Sequence, residues 1–226
     1  MRDTLRACTL LLIPLLCTGC LVQSTHPFFT QESVAPLQDA VGKWQLLKDM
    51  GADLGKDEKR AAVDPWVIRA VAGGDVPSYQ VTTYDRGNRE STLYAVFFTV
   101  NGQTYGSVTP AQNPKANKYW NAGVCPVHTL CKVELKGDLL SLRFLDREWV
   151  QRAVVKKELA FPVAHKGNRS LLLSPAAEEW KTFLEKCGKT EGVFSERNPL
   201  ELRRIKDVPP AELKPVEPKA QPEDEF

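Results

Sequence analysis

The stretch STLYAVFFTVNGQTYGSVT, residues 91–109, decides how this chain folds. Two apolar runs flank Asn101-Gly102, and a two-residue Asn-Gly loop suits the positive φ angles of a type I′ turn. The pattern therefore predicts a hairpin pairing Ser91 to Val100 with Gln103 to Thr109. Leu93 to Phe98 is apolar on both faces, which places this strand under a helix or in the middle of a sheet.

Working outward, the same alternation recurs on both sides. A second hairpin is expected from Pro126 to Leu135 and Asp138 to Leu145 around Lys136-Gly137. In its second arm Leu140, Leu142 and Phe144 alternate with Ser141 and Arg143, so one face is core and the other wet. Asp85-Arg86-Gly87-Asn88 and Lys166-Gly167-Asn168 mark further turns. Other strands are predicted at Gly42 to Lys48, Trp66 to Val71, Tyr79 to Tyr84, Leu159 to Ala164, Arg169 to Leu173 and Leu200 to Ile205. Two helices interrupt the strands. Asp146 caps a short one through Trp149, Val150, Ala153 and Val154. Ser174 and Pro175 open the other, Trp180, Phe183, Leu184 and Cys187 share one face, and Gly188 stops it.

The expected fold is thus mainly β: an antiparallel meander with two short helices packed on it. About nine strands joined by short turns shed their exposed edges best by curling into a barrel. Val41-Gly42-Lys43-Trp44 adds to that expectation, because it resembles the Gly-x-Trp signature on the first strand of lipocalins and other calycins. The resemblance implies an eight-stranded barrel whose closed end is plugged by Trp44, with Arg203 or Arg204 on the last strand packed over it. A lipocalin's main helix follows its eighth strand, whereas the helix at Asp146 falls mid-chain. An open or half-closed sheet under the two helices is the alternative.

Residues 1–19 combine Arg2 and Arg6, an apolar middle from Leu10 to Leu16, and the small pair Thr18-Gly19 before Cys20. These are the parts of a secretory signal, with an apolar run too short to span a bilayer. The end of this segment resembles the lipobox of bacterial lipoproteins, although Cys17 stands where that family usually has Leu. The resemblance implies that Cys20 becomes the mature N-terminus and carries diacylglycerol and a further acyl chain such as palmitate. Several acyl chains anchor firmly where one does not. Leu21 rather than Asp follows Cys20, which favours the outer membrane if the host is Gram-negative. Anchor, spacer, Gly-x-Trp strand and mixed domain together look like a group of small, uncharacterised bacterial lipoproteins.

Residues 20–40 lack sustained periodicity, carry His26-Pro27 and Pro36, and read as the anchor and a spacer. Residues 41–206 form the globular domain, large enough for one core. In residues 207–226 Pro209, Pro210, Pro215, Pro218 and Pro222 alternate with charges, the composition of a disordered acidic tail. Thirty basic against 28 acidic side chains, interspersed along the chain, leave no basic stripe for nucleic acid.

Chemical signatures are few. Cys125-Pro126-Val127-His128-Thr129-Leu130-Cys131 has a Cys-x₂-His-x₂-Cys order, but strand parity puts His128 on the face opposite Cys131. A metal site or a disulfide would need a sharp bend at Pro126, so no metal or cofactor is assigned. Otherwise Cys131 is a small core residue beside Val133, and His128 sits on the outer face or at a barrel lip. Tyr119 and Trp120, in a polar loop, either cap the core or form a binding lip. Trp44, Tyr119, Trp120 and His128 are the ligand-contact candidates. No residue is assigned a catalytic role, since nucleophile-elbow, zinc-helix and phosphate-loop motifs are all missing. The expectation is a lipid-anchored cell-envelope protein with a non-catalytic binding domain, its ligand a small apolar molecule. An envelope interaction or scaffold protein is the first alternative, and a hydrolytic or metal-dependent enzyme without a recognisable motif the second.

Overall fold

The computed structural model describes residues 21–49, 52–53, 65–84, 90–111, 126–166, 171–196, 199–206 and 213–217. In chain order the elements are β1 (Val22–Ser24), β2 (Gly42–Asp49), β3 (Ala52–Asp53), β4 (Trp66–Ala70), β5 (Tyr79–Tyr84), β6 (Glu90–Val100), β7 (Gln103–Pro110), β8 (His128–Lys136), β9 (Leu139–Phe144), α1 (Arg147–Val155), β10 (Val163–Lys166), β11 (Leu171–Leu173), α2 (Ala177–Cys187) and β12 (Leu200–Arg204). Short 3₁₀ turns at Gln31–Ser33 and Gln38–Ala40 precede β2.

Each of β2, β4, β5, β6, β7, β8 and β9 pairs antiparallel with the next, and β12 closes the ring by pairing with both β9 and β2. The result is a closed eight-stranded antiparallel barrel with two short helices, consistent with the calycin-like expectation rather than the open sheet. The opening hairpin forms as its turn chemistry dictates. Asn101 and Gly102 take φ of 50° and 74°, and Val100 pairs with Gln103.

Two cores follow from strand parity. Inside the barrel, Trp44, Leu46, Ile68, Tyr79, Val81, Ala95, Phe97, Cys131, Val133, Leu140, Leu200 and Leu202 are buried together. Outside the wall, Phe98, Val100, Tyr105 and Leu130 turn the other way and pack under Val150 of α1 and Trp180, Phe183 and Leu184 of α2. This explains why Leu93 to Phe98 is apolar on both faces: Phe97 points into the lumen and Phe98 under the helices.

The helices lie between the seventh and eighth barrel strands, not after the eighth. Asp146 Oδ1 accepts from Trp149 N at 2.7 Å, the expected cap of α1. α2 begins at Ala177, after the expected cap Ser174, and Glu179 reaches back to accept from Ala176 N at 2.7 Å. Gly188 ends α2 in a right-handed conformation, so its need for glycine is steric. A Cβ there would meet Tyr105 Oη at 2.3 Å.

Residues 21–40 correct the expected spacer. Val22 to Ser24 form β1, parallel to β11 and antiparallel to the start of β8, and Val22, Ser24, Phe28 and Ala40 are buried. Three residues are too few to show a period, which is why composition read them as linker. β10, β11 and β1 form a flange continuing from β8 where β9 leaves it, since β8 pairs β9 over Cys131 to Lys136 and β1 at His128 and Thr129. The strand expected from Leu159 to Ala164 begins only at Val163, because Leu159 and Phe161 are taken into the helical core. The tail is also partly ordered. Val216 bridges parallel to Val71, donating to Ala70 O while accepting from Ala72 N, both at 2.9 Å.

Candidate functional site

At the foot of the barrel the chain builds a plug. Trp44 is fully buried, and its Nε1 donates to Ala40 O at 2.9 Å. The Arg204 guanidinium lies 4.3 Å from the Trp44 ring centroid. Its Nη1 donates to Val41 O at 2.9 Å and its Nη2 to Asp39 O. Leu37 N donates to Tyr79 Oη at 2.9 Å, fixing the 3₁₀ turn across the foot of the barrel. Burial of that phenol raises its pKa despite the backbone donor. Of the two arginines offered by the sequence, Arg204 is thus the partner of Trp44, while Arg203 points outward and is exposed. Gly42 makes room for this arrangement, since a Cβ there would stand 2.7 Å from Arg204 Nη1. Trp44 therefore seals the barrel and offers no surface to a ligand. An open depression of about 540 Å³ lies beside the plug, lined by Leu37, Gln38, Asp39, Val41, Leu135, Gly137 and Arg204.

Above the plug the described inner-face side chains pack into a buried cluster. Tyr79 and Phe97 sit with ring centroids 5.0 Å apart, and Cys131 Sγ donates to Gly106 O at 3.5 Å. Burial pushes the Cys131 thiol up to about 12, so at neutral pH it is a protonated core residue. A Cβ on Gly106 would meet that sulfur at 3.1 Å, which shows how closely β7 and β8 approach there.

His128 lies on the opposite face of β8, as parity requires, and cannot share a site with Cys131. Its Nδ1 sits 2.8 Å from Thr109 Oγ1 and 3.3 Å from Ser107 Oγ. Burial, and secondarily the charge of His26, hold its imidazole below the usual histidine range. The neighbouring flange adds more polar groups. Ser24 Oγ accepts from Trp180 Nε1 and from His26 N, each at 3.1 Å, and Thr25 Oγ1 lies 2.8 Å from Ser174 Oγ. Spacing in sequence gave no sign of Ser24, Ser107 and Thr109 meeting near His128, because together with His128 they come from three different strands. Ser107 and Ser24 are both buried, so neither hydroxyl is placed to attack a substrate. The cluster stitches the flange to the barrel wall.

Tyr119, Trp120 and Cys125 lie outside the described residues. Among the described residues no three His, Cys, Asp or Glu side chains are grouped to hold a metal ion. None of the helices described is long and apolar enough to cross a membrane. On the outer wall Glu134 gathers Lys136 at 3.1 Å, Arg143 at 3.2 Å and Lys132 at 3.9 Å. The hydrogen bond from Lys136, followed by the charges of Arg143 and Lys132, holds its carboxyl below the ordinary range. The fold is a closed eight-stranded barrel, consistent with a calycin-like one, whose foot carries a Trp–Arg plug. Comparison with protein families, with curated proteins and with solved structures finds no match to this chain.

Proposed function

We propose that the chain is a lipid-anchored cell-envelope protein, acylated at Cys20, whose barrel is a non-catalytic module that binds another envelope protein through its outer surface. The observation that carries the choice of partner is the buried cluster inside the barrel. The described interior packs Trp44, Tyr79, Phe97, Val133, Leu140 and Leu202 together, which favours the walls and the tail for recognition. That packing supports the protein partner over the expected small apolar ligand, and the two readings predict different outcomes below. The Cys20 assignment rests on the signal and lipobox pattern, and outer-membrane placement on Leu21.

Crosslinking in cells with and without residues 207–226 tests this reading. Loss of specific adducts on truncation, with the barrel still folded, is the expected result. Native mass spectrometry of the anchor-free domain after exposure to envelope lipid extract supplies the opposite test. A stoichiometric lipid retained by the domain would overturn the surface reading in favour of a lumenal ligand.

A further inference from the structure

The position of β1 carries a consequence for how the domain meets the membrane. Val22 is buried and paired with Leu171, and Thr25 N donates to Leu173 O at 3.0 Å. The fold therefore takes hold of the chain two residues after Cys20. Two residues span at most about 7 Å even when fully extended. An acylated Cys20 thus cannot hold the domain away from the bilayer as a flexible tether would.

We propose that the flange β1–β11–β10 is the face on which the domain rests, with its rim at Lys166 among phospholipid headgroups. This rests on acylation of Cys20. Lys166 pairs with Leu171, which in turn pairs with Val22, so it marks the end of the flange that the anchor reaches. Two strand spacings separate Lys166 from Val22, about 10 Å. β10 is the outer strand of the sheet and is exposed along its whole length. The segment leading into it has the composition of a membrane-surface contact. Residues 155–166 carry three Lys against one Glu. Among the described residues three large hydrophobic side chains stand exposed, and two of them, Val155 at 69% and Val163 at 43%, lie in this segment. Exposed apolar side chains among lysines suit an interface of anionic headgroups over hydrocarbon.

The test uses the full acylated chain in vesicles of phosphatidylethanolamine and phosphatidylglycerol, with a fluorophore on a single introduced cysteine and a nitroxide quencher on the lipid headgroup. Cys125→Ser and Cys187→Ser remove competing thiols, and Cys131 is sealed in the core. Lys166→Cys reports the flange rim. Asp75→Cys reports the exposed turn after β4, which stands across the barrel from β8. Quenching several-fold stronger at position 166 than at position 75 is expected. Equal quenching at the two positions, or stronger quenching at 75, in a protein shown by mass spectrometry to be acylated would overturn the flange orientation alone. A mature N-terminus lacking acyl groups would remove both this orientation and the anchor on which it rests.

Discussion

Replacing Arg204 by Ala tests whether the foot of the barrel is held as described. The guanidinium over Trp44, at 4.3 Å and partly desolvated, contributes about 1–2 kcal/mol. Each charge-assisted hydrogen bond to Val41 O and Asp39 O carries about 1.5–3 kcal/mol when buried. Both must be discounted here. The Arg204 side chain is 24% exposed and Asp39 lies at the surface, so water replaces much of what is lost. The Asp138 carboxylate, 3.9 Å from Nε and half-exposed, adds little. The net cost is about 2–4 kcal/mol, which for a domain of this size lowers Tm by about 5–15 °C. Thermal melts followed by near-ultraviolet circular dichroism measure it, because the buried Trp44 ring reports directly on the plug. Arg204→Lys keeps a charge above the ring but cannot hold two carbonyls at once, so it should melt between parent and Ala variant. A double-mutant cycle with Trp44→Phe isolates the ring contact, with a coupling of about 1 kcal/mol expected. An Arg204→Ala protein melting within about 1 °C of the parent would refute the reasoning.

Two further outcomes follow from the outer core and from the cluster at His128. Gly188→Ala should destabilise by about 1–3 kcal/mol, because its Cβ would meet Tyr105 Oη at 2.3 Å, and Tyr105→Phe in the same chain should recover part of the loss in urea titrations. His128 has a folded pKa below its ordinary 6.5, so the unfolded chain binds a proton there first. Stability is then unaffected above about pH 7 and falls as pH drops through 6.5 towards the folded value; His128→Gln should flatten that part of a Tm-against-pH curve, and an unchanged slope would count against the burial argument. The lowered carboxyl of Glu134 acts in a separate window, since its contribution is lost only as pH falls below about 4.5.

Much of the barrel was legible because its signals are local. The Asn101-Gly102 turn fixed the register of β6 and β7, and the alternation of Leu140, Leu142 and Phe144 fixed the inner face of β9. Gly42 and Trp44 marked the first barrel strand, and Arg204 was within reach as one of two adjacent candidates. What escaped was non-local or too short to carry a period. β1 is three residues long and held by strands more than a hundred residues later in the chain, so composition alone read it as linker. The bridge at Val216 is a single residue pair inside a Pro-rich stretch. The polar groups near His128 converge only because β1, β7 and β8 lie side by side. Tyr119 and Trp120 fall outside the described residues, so the binding-lip expectation stays with the sequence.

The place of the helices ties the two cores into one structure. In a simple meander the eighth strand would follow the seventh through a short turn, yet here β12 arrives only after α1, β10, β11 and α2 have been laid on the outer wall. The closing contact between β2 and β12 therefore joins segments some 160 residues apart by register, Trp44 against Arg204. Closing so long a loop is entropically costly, but the cost grows only with the logarithm of length, and docking the insertion first would shorten the effective loop. Phe194 supports such an order. It packs at 5.7 Å on Tyr105 in the outer core, and the adjacent Ser195 N donates to Phe144 O at 2.9 Å, so the outer core delivers the chain to the edge of β9 where β12 must start. The residue pair that reads as a calycin signature in the sequence is thus held from both sides. Trp44 is fixed from within by the lumen, and Arg204 is brought to it by the aromatic packing outside.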